Sequence, residues 1–214
     1  MSNVVNSFIS FPSNEWDVNW NFDESNLESY WDTHFPSNDE TNLDVNTTTD
    51  KIDWKIINDN NDQTMYNDLL GGNINDTKWL LRMKLRFSDV STTCQGYIGI
   101  SSINGASSSS QDFIGIGILT GDNQIRSIDA DGSALSMSGD NNASLTWANN
   151  TDYYLEIIRS NSTTYSCEIF SDSDFSTSVA SVDGTCTSTT QNLRYVKLQN
   201  RITSNDGEPV LTID

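Results

Sequence analysis

The densest group of candidate metal ligands lies in two turns of the second half of the chain. Residues 129–133 read Asp-Ala-Asp-Gly-Ser, and residues 139–142 read Gly-Asp-Asn-Asn. Oxygen atoms on turns are the ligands that calcium requires, so Asp129, Asp131 and Asp140 are the predicted calcium ligands, and no other cofactor is expected. The segment is not an EF-hand, because placing Gly132 at the sixth loop position puts serines at the first and last positions. A solvated Asp-Gly turn is the alternative interpretation.

Trp147 is the candidate platform for a sugar ring. It lies in the polar segment LTWANNTDYY, which follows the two acidic turns. An exposed tryptophan offers a flat apolar face to a pyranose, and Arg126 and Asp152 are the predicted hydrogen-bond partners of the sugar hydroxyls. The alternative is a buried tryptophan that caps a hydrophobic core.

Residue types for nucleophilic catalysis are sparse. His34 is the single histidine, and no G-x-S-x-G elbow accompanies it. The three cysteines, Cys94, Cys167 and Cys186, are widely spaced and form no C-x-x-C pair, which excludes a zinc pattern and a disulfide framework. Buried free thiols are expected, and a single bridge between Cys167 and Cys186 is the alternative.

The segment KWLLRMKLRF predicts a long strand that is buried on one face. Apolar and mostly cationic side chains alternate over residues 78–87, which is the two-residue period of a strand. Arg82, Lys84 and Arg86 share the face opposite the apolar set. We expect them to pair with acidic residues of neighbouring strands, with an anion-recognising sheet as the alternative. The apolar set is Trp79, Leu81, Met83, Leu85 and Phe87.

Further apolar runs are of strand length, and no window shows a convincing amphipathic helix. They lie at residues 51–57, 96–101, 112–119, 153–159, 164–170 and 193–199. The short SNSTT turn after Arg159 joins two of these runs, and such a short link is possible only between antiparallel strands. The sequence therefore predicts an all-β, antiparallel β-sandwich of two sheets.

The ordered series KWLLRMKLRF, GYIGIS, DFIGIGI, YYLEIIRSNSTTYSCEIFSDSDF and LRYVKLQN resembles the concanavalin A-like lectin and glucanase superfamily, in particular laminin G-like jelly rolls. The resemblance covers roughly residues 43–200. It implies two curved sheets packed face to face, with ligands on the concave sheet or at the rim loops, sometimes held through calcium.

Glycosidases of that superfamily carry an E-x-D-x-x-E or E-x-D-x-E strand, which supplies the paired acid and nucleophile of a retaining mechanism. The nearest match here begins at Glu15 and lacks the second glutamate. Glu156 and Glu168 lie in predicted strands, each without a same-face carboxylate two or four residues away. The chain is therefore predicted to be non-catalytic.

Charge limits the class of partner. The chain has 214 residues, with 11 Lys+Arg against 30 Asp+Glu and a formal net charge of -19. An acidic surface repels nucleic-acid phosphates and anionic lipids, so neither is an expected partner. No window reaches the roughly 18 apolar residues of a membrane span, and the N-terminus does not resemble a signal peptide. The expected location is an extracellular surface or a virion.

Residues 1–15 are predicted to form an apolar N-terminal arm, and residues 16–214 a single sandwich domain. An arm with this much apolar surface is expected to dock, either on its own domain or on another subunit. We predict a surface-displayed binding or adhesion module that recognises glycans. The alternative is a virion structural or decoration protein, a capsid or spike component, that forms homo-oligomers through the arm.

Overall fold

Sixteen strands are present in the part of the chain that the computed structural model describes. That part comprises residues 7–10, 16–20, 31–33, 43–46, 51–55, 64–69, 73–90, 95–106, 108–138, 141–200 and 210–213. The strands are β1 (Ser7–Ser10), β2 (Trp16–Trp20), β3 (Trp31–Thr33), β4 (Leu43–Asn46), β5 (Lys51–Lys55), β6 (Thr64–Asp68), β7 (Trp79–Phe87), β8 (Gln95–Ser101), β9 (Gln111–Leu119), β10 (Gln124–Ser133), β11 (Asn142–Ser144), β12 (Asp152–Arg159), β13 (Thr164–Phe170), β14 (Ser178–Thr185), β15 (Tyr195–Asn200) and β16 (Val210–Ile213).

The strands form two sheets in which all pairings are antiparallel. Sheet I has the order β14-β13-β12-β7-β16-β5-β4, and β1 pairs both with β7 and with β2. Sheet II has the order β11-β10-β9-β8-β15-β6-β3. The predicted all-β, two-sheet antiparallel sandwich is confirmed. Over the described residues, no helix is long and apolar enough to cross a membrane.

Strand β7 shows the predicted alternation of burial. Its apolar side chains are at most 2% exposed and lie between the sheets. On the opposite face Arg82 pairs with Glu156, while Lys84 and Arg86 both pair with Asp152. The expected pairing of the β7 cations with acidic residues of a neighbouring strand, here β12, is confirmed.

Isoleucines of sheet II complete the core. In β8 and β9 they occupy every second position, and the positions between them carry glycine, aromatic and polar residues. Because strand side chains alternate, the isoleucines face sheet I and the other residues face outward. Cys167 and Cys186 are buried and free, which confirms the expected buried thiols. Cys94 lies outside the described residues.

The predicted N-terminal arm is described only at β1. This strand pairs with β7 of the same chain, with Phe8 opposite Arg82 and Ile9 opposite Leu81. It therefore extends sheet I through backbone hydrogen bonds. The division of the chain into an arm over residues 1–15 and a domain over residues 16–214 stays a prediction.

Candidate ligand-binding face

Trp147 lies in the hydrophobic core rather than on the surface. Its ring is 4% exposed and packs on Phe87 and Tyr153, with ring centroids 4.8 and 5.0 Å away. Because the ring is covered on these sides, it does not offer the exposed platform that was expected for a sugar. The alternative interpretation, a core tryptophan, agrees with the structure.

Arg126 and Asp152 lie on opposite sides of the sandwich. Arg126 is on the outer face of sheet II, where its Nη1 donates a hydrogen bond to the Met137 carbonyl oxygen over 2.6 Å. Asp152 is on the outer face of sheet I, and its carboxylate lies 3.0 Å from Arg86 Nη1 and 3.5 Å from Lys84 Nζ. The structure therefore does not bring Trp147, Arg126 and Asp152 together.

The predicted calcium ligands are described only in part. Asp131 Oδ2 accepts hydrogen bonds from the hydroxyls of Thr187, over 2.6 Å, and Thr189, over 2.7 Å. These two bonds lower the pKa of the Asp131 carboxyl. Asp129 lies two positions earlier on β10, and Asp140 lies outside the described residues.

The described part of the chain contains no cluster of acidic side chains for calcium. Among the residues that the structure describes, no three His, Cys, Asp or Glu side chains form a group that could hold a metal ion. One oxygen of Asp131 is already engaged by two hydroxyls. The described residues thus do not form a calcium site by themselves, and calcium binding stays a prediction.

Glu156 and Glu168 are neighbours across strands, although they are twelve positions apart in the chain. The register of β12 and β13 places them directly opposite each other on the outer face of sheet I. Glu156 Oε2 accepts a hydrogen bond from Arg82 Nε over 2.6 Å, and the Arg82 guanidinium lies 4.1 Å from the Phe175 ring centroid. The pairing with Arg82 engages Glu156 in an ion pair within this face. His34 and Glu15 lie outside the described residues.

A row of five residues crosses the outer face of sheet II. The registers of β6, β15, β8, β9 and β10 place Thr64 opposite Gln199, Gln199 opposite Tyr97, Tyr97 opposite Gly117, and Gly117 opposite Arg126. Directly paired residues of antiparallel strands point to the same side of the sheet. We call these five residues the polar row.

The polar row contains buried groups without hydrogen-bond partners. Gln199 is 0% exposed, and neither its Oε1 nor its Nε2 makes a hydrogen bond. Beside it, Thr64 is 2% exposed and its hydroxyl is also unpartnered, as is Nε of Arg126. A buried polar group without a partner costs about 1–3 kcal/mol, so such groups call for an explanation.

A second polar group lies next to this row. Lys197 is 0% exposed, and its Nζ lies 2.8 Å from Oε1 of Gln111. The same Oε1 accepts a hydrogen bond from the Ser101 hydroxyl, while Gln111 Nε2 donates to the Ala106 and Ser109 carbonyl oxygens. These contacts hold Lys197, two positions before Gln199 on β15, against Gln111 of β9.

The other half of the outer face is apolar and is filled by the chain itself. Three glycines, Gly99, Gly115 and Gly117, leave a trough in the sheet surface. The Phe113 ring lies over the first two, because a Cβ there would come within 2.6 and 2.7 Å of its Cζ. The Met137 sulfur lies over the third, 2.4 Å from where a Cβ would stand.

Comparison with known proteins shows the fold. No protein-family model and no curated protein matches the chain. A solved structure of the lectin UEA-II complexed with galactose is similar with a TM-score of 0.59 and 9% identity, over 97% of this chain and 94% of that chain. The VIP36 exoplasmic/lumenal domain in its Ca²⁺/Man3GlcNAc-bound form is similar with a TM-score of 0.57 and 10% identity, over 88% and 84%.

An enzyme shares the same architecture. Alginate lyase A1-II′ is similar with a TM-score of 0.50 and 9% identity, over 86% of this chain and 92% of that chain. With the two lectins, this likeness shows that the chain has the concanavalin A-like lectin fold, which is the fold that the strand series resembles. The fold alone does not decide between binding and catalysis.

No motif of the sequence predicted the polar row. The signal was present in the segment YVKLQ of β15, where Lys197 and Gln199 alternate with the apolar Val196 and Leu198. That alternation indicates a strand with one polar face, but polar faces are ordinarily solvated. Only the burial of this face distinguishes it.

Proposed function

We propose that this protein is a non-catalytic, surface-displayed binding or adhesion module that binds glycans on the outer face of sheet II. The observation that carries the proposal is the pair of buried, unpartnered polar side chains, Gln199 and Thr64, side by side on that face. The lectin fold supports it, because one similar structure is a lectin complexed with galactose and another is in a Man3GlcNAc-bound form.

The chemistry of these groups suits sugar hydroxyls. An amide offers both a donor and an acceptor, and the Thr64 hydroxyl adds a second group of either kind. Tyr97, the next member of the polar row, is 1% exposed and packs with Phe113 and Met137, so its ring reaches a sugar only if these side chains move. A few polar groups that fix orientation, together with a ring that contacts the apolar side of a sugar, are what a saccharide site requires.

One observation supports binding rather than catalysis. Glu156, one of the two glutamates considered for catalysis, is paired with Arg82. An extracellular surface is the location that this function requires.

A glycan array with the full chain tests the proposal. We expect selective binding to at least one glycan and a loss of at least about tenfold in affinity for Gln199→Met, which keeps the length of the side chain but removes the amide. Gln191→Met is the matched control, because Gln191 is exposed in a loop and bonds to Ser188. Absence of binding to any glycan, or equal affinity of both variants and the unaltered chain, would overturn the proposal.

A further inference from the structure

Tyr195 is a half-buried aromatic residue at the start of β15. The strand registers place it between Asp68 of β6 and Ser101 of β8. It shares the outer face of sheet II with Gln199, because residues four apart on a strand point to the same side, and the two are about 13 Å apart at the usual rise of a strand. Part of Tyr195 is accessible to a ligand as the chain stands, at a place separate from Gln199.

An ion pair lies beside the Tyr195 ring. Arg194 Nε donates a hydrogen bond to Asp68 Oδ1 over 2.8 Å, and Arg194 Nη2 donates to Asp68 Oδ2 over 2.6 Å. The guanidinium carbon lies 5.3 Å from the centroid of the Tyr195 ring. The two side chains of the pair are 35% and 38% exposed, so both can be reached from solvent. A guanidinium has five N–H donors, and this two-point pairing uses two of them.

The chain supports Tyr195 on both flanks. Towards β6, the Tyr66 and Tyr195 rings meet edge to face, with centroids 5.5 Å apart and an angle of 87° between the ring planes. Towards β8, the backbone N–H of Arg194 donates a hydrogen bond to the Ser101 carbonyl oxygen over 2.8 Å. The ring is therefore oriented before a ligand arrives, which lowers the entropic cost of binding.

We infer that Tyr195 is the ring on which one sugar of the glycan packs, that Arg194 and Asp68 bond to its hydroxyls, and that this sugar is neutral. This inference rests on the proposed function. A neutral sugar offers an apolar side to the ring, and its hydroxyls can accept from a guanidinium and donate to a carboxylate. An acidic sugar fits less well, because Asp68 already compensates the charge of Arg194 and the chain has a net charge of -19.

An array that carries each neutral oligosaccharide beside a counterpart with a terminal uronic acid tests the ring. Tyr195→Leu should lower the affinity for neutral oligosaccharides by at least about tenfold, whereas Tyr195→Phe, which keeps the ring, should stay within about threefold. Phe175→Leu is the matched control, because its half-buried ring also lies beneath a guanidinium, 4.1 Å from Arg82, but on sheet I. Thermal melts check that every variant is folded.

The outcomes separate the ring from the proposed function. Equal affinity of Tyr195→Leu and the unaltered chain, or an equal loss for Phe175→Leu, would overturn the inference while the proposed function stands. An array that stays blank with the unaltered chain would overturn both.

The same array tests the choice of a neutral sugar. The unaltered chain should bind a neutral oligosaccharide at least about tenfold more tightly than its uronic-acid counterpart. Asp68→Asn keeps the shape of the side chain but leaves Arg194 without its counter-charge, so it should narrow that ratio by about tenfold. A general loss of stability changes both affinities alike and leaves the ratio unaltered. Preference of the unaltered chain for the uronic acids, or the same ratio in Asp68→Asn, would overturn the inference.

Discussion

The outer faces of the two sheets are both rich in polar side chains, but they use them differently. On sheet I the cations of β7 are paired with Glu156 and Asp152. On sheet II the amide of Gln199 and the hydroxyl of Thr64 are buried and unpartnered. Among the described residues, no buried polar atom of the outer face of sheet I lacks a partner.

The difference shows that the charge pattern of a sequence does not identify the face on which buried polar groups lack partners. The outer face of sheet I is conspicuous in the sequence because the three cations of β7, Arg82, Lys84 and Arg86, alternate with apolar residues. These three cations are all in ion pairs, and the most exposed of the pairs, Arg86 with Asp152, contributes under about 1 kcal/mol. The outer face of sheet II carries less charge, but its buried Gln199 amide and Thr64 hydroxyl make no hydrogen bond.

The largest difference in stability is expected between substitutions on the two faces of β7. Trp79→Ala should lower the free energy of unfolding by about 3–5 kcal/mol, because it leaves a cavity between the sheets. Lys84→Ala, on the outer face, should change it by less than about 0.5 kcal/mol. Denaturant unfolding of both variants measures the difference. Similar losses for the two would show that β7 is not buried on one side only.

Calcium binding near the C-terminal end of β10 is expected to have the next largest effect on the free energy of unfolding. If Asp129, Asp131 and Asp140 bind calcium, a concentration of 100 times Kd should raise the free energy of unfolding by about 2.7 kcal/mol. Thermal melts in EDTA and in millimolar calcium measure the change, with Asp131→Asn as the variant that should lose it. Identical melting temperatures in the two buffers would rule calcium out.

Phe175 offers a smaller test of the face of sheet I. Its backbone has a φ of 53°, a strained conformation for an aromatic residue, and its ring packs on Phe170 and Tyr154 beneath the Arg82 guanidinium. Phe175→Ala should lower the free energy of unfolding by about 1–2 kcal/mol and leave glycan affinity unchanged. A fall in affinity would move the binding site to sheet I.

Substitution of Gln199 is expected to give the smallest change in stability. Unlike the other substitutions, it should make the protein more stable. Gln199→Met should raise the free energy of unfolding by about 0.5–1 kcal/mol, because the unpartnered amide is removed while the volume is kept. The same variant should bind glycans more weakly, which is the usual exchange of stability for function at a binding site. If Gln199→Met is instead less stable than the unaltered chain, the amide has a structural partner and the comparison of the two faces fails.

Much of the fold could be predicted because each strand shows apolar and polar residues that alternate along a short stretch of sequence. The period of KWLLRMKLRF is visible within ten residues, and its burial follows from the cost of placing Arg82 or Lys84 in the core. Trp147 could not be assigned in the same way. Its surroundings in the chain are polar, and the contacts with Phe87 and Tyr153 that bury it arise only when the strands pack.

The sequence by itself determined the two-residue periods of the strands and their antiparallel joining, since each depends on neighbours along the chain, and it fixed the net charge of -19. Only the tertiary structure decided which polar residues meet. Thr64, Tyr97, Gly117, Arg126 and Gln199 come from five strands, and their alignment depends on the register of four strand pairs. Register is set by how whole strands pack against the opposite sheet, so no short segment of the sequence carries it.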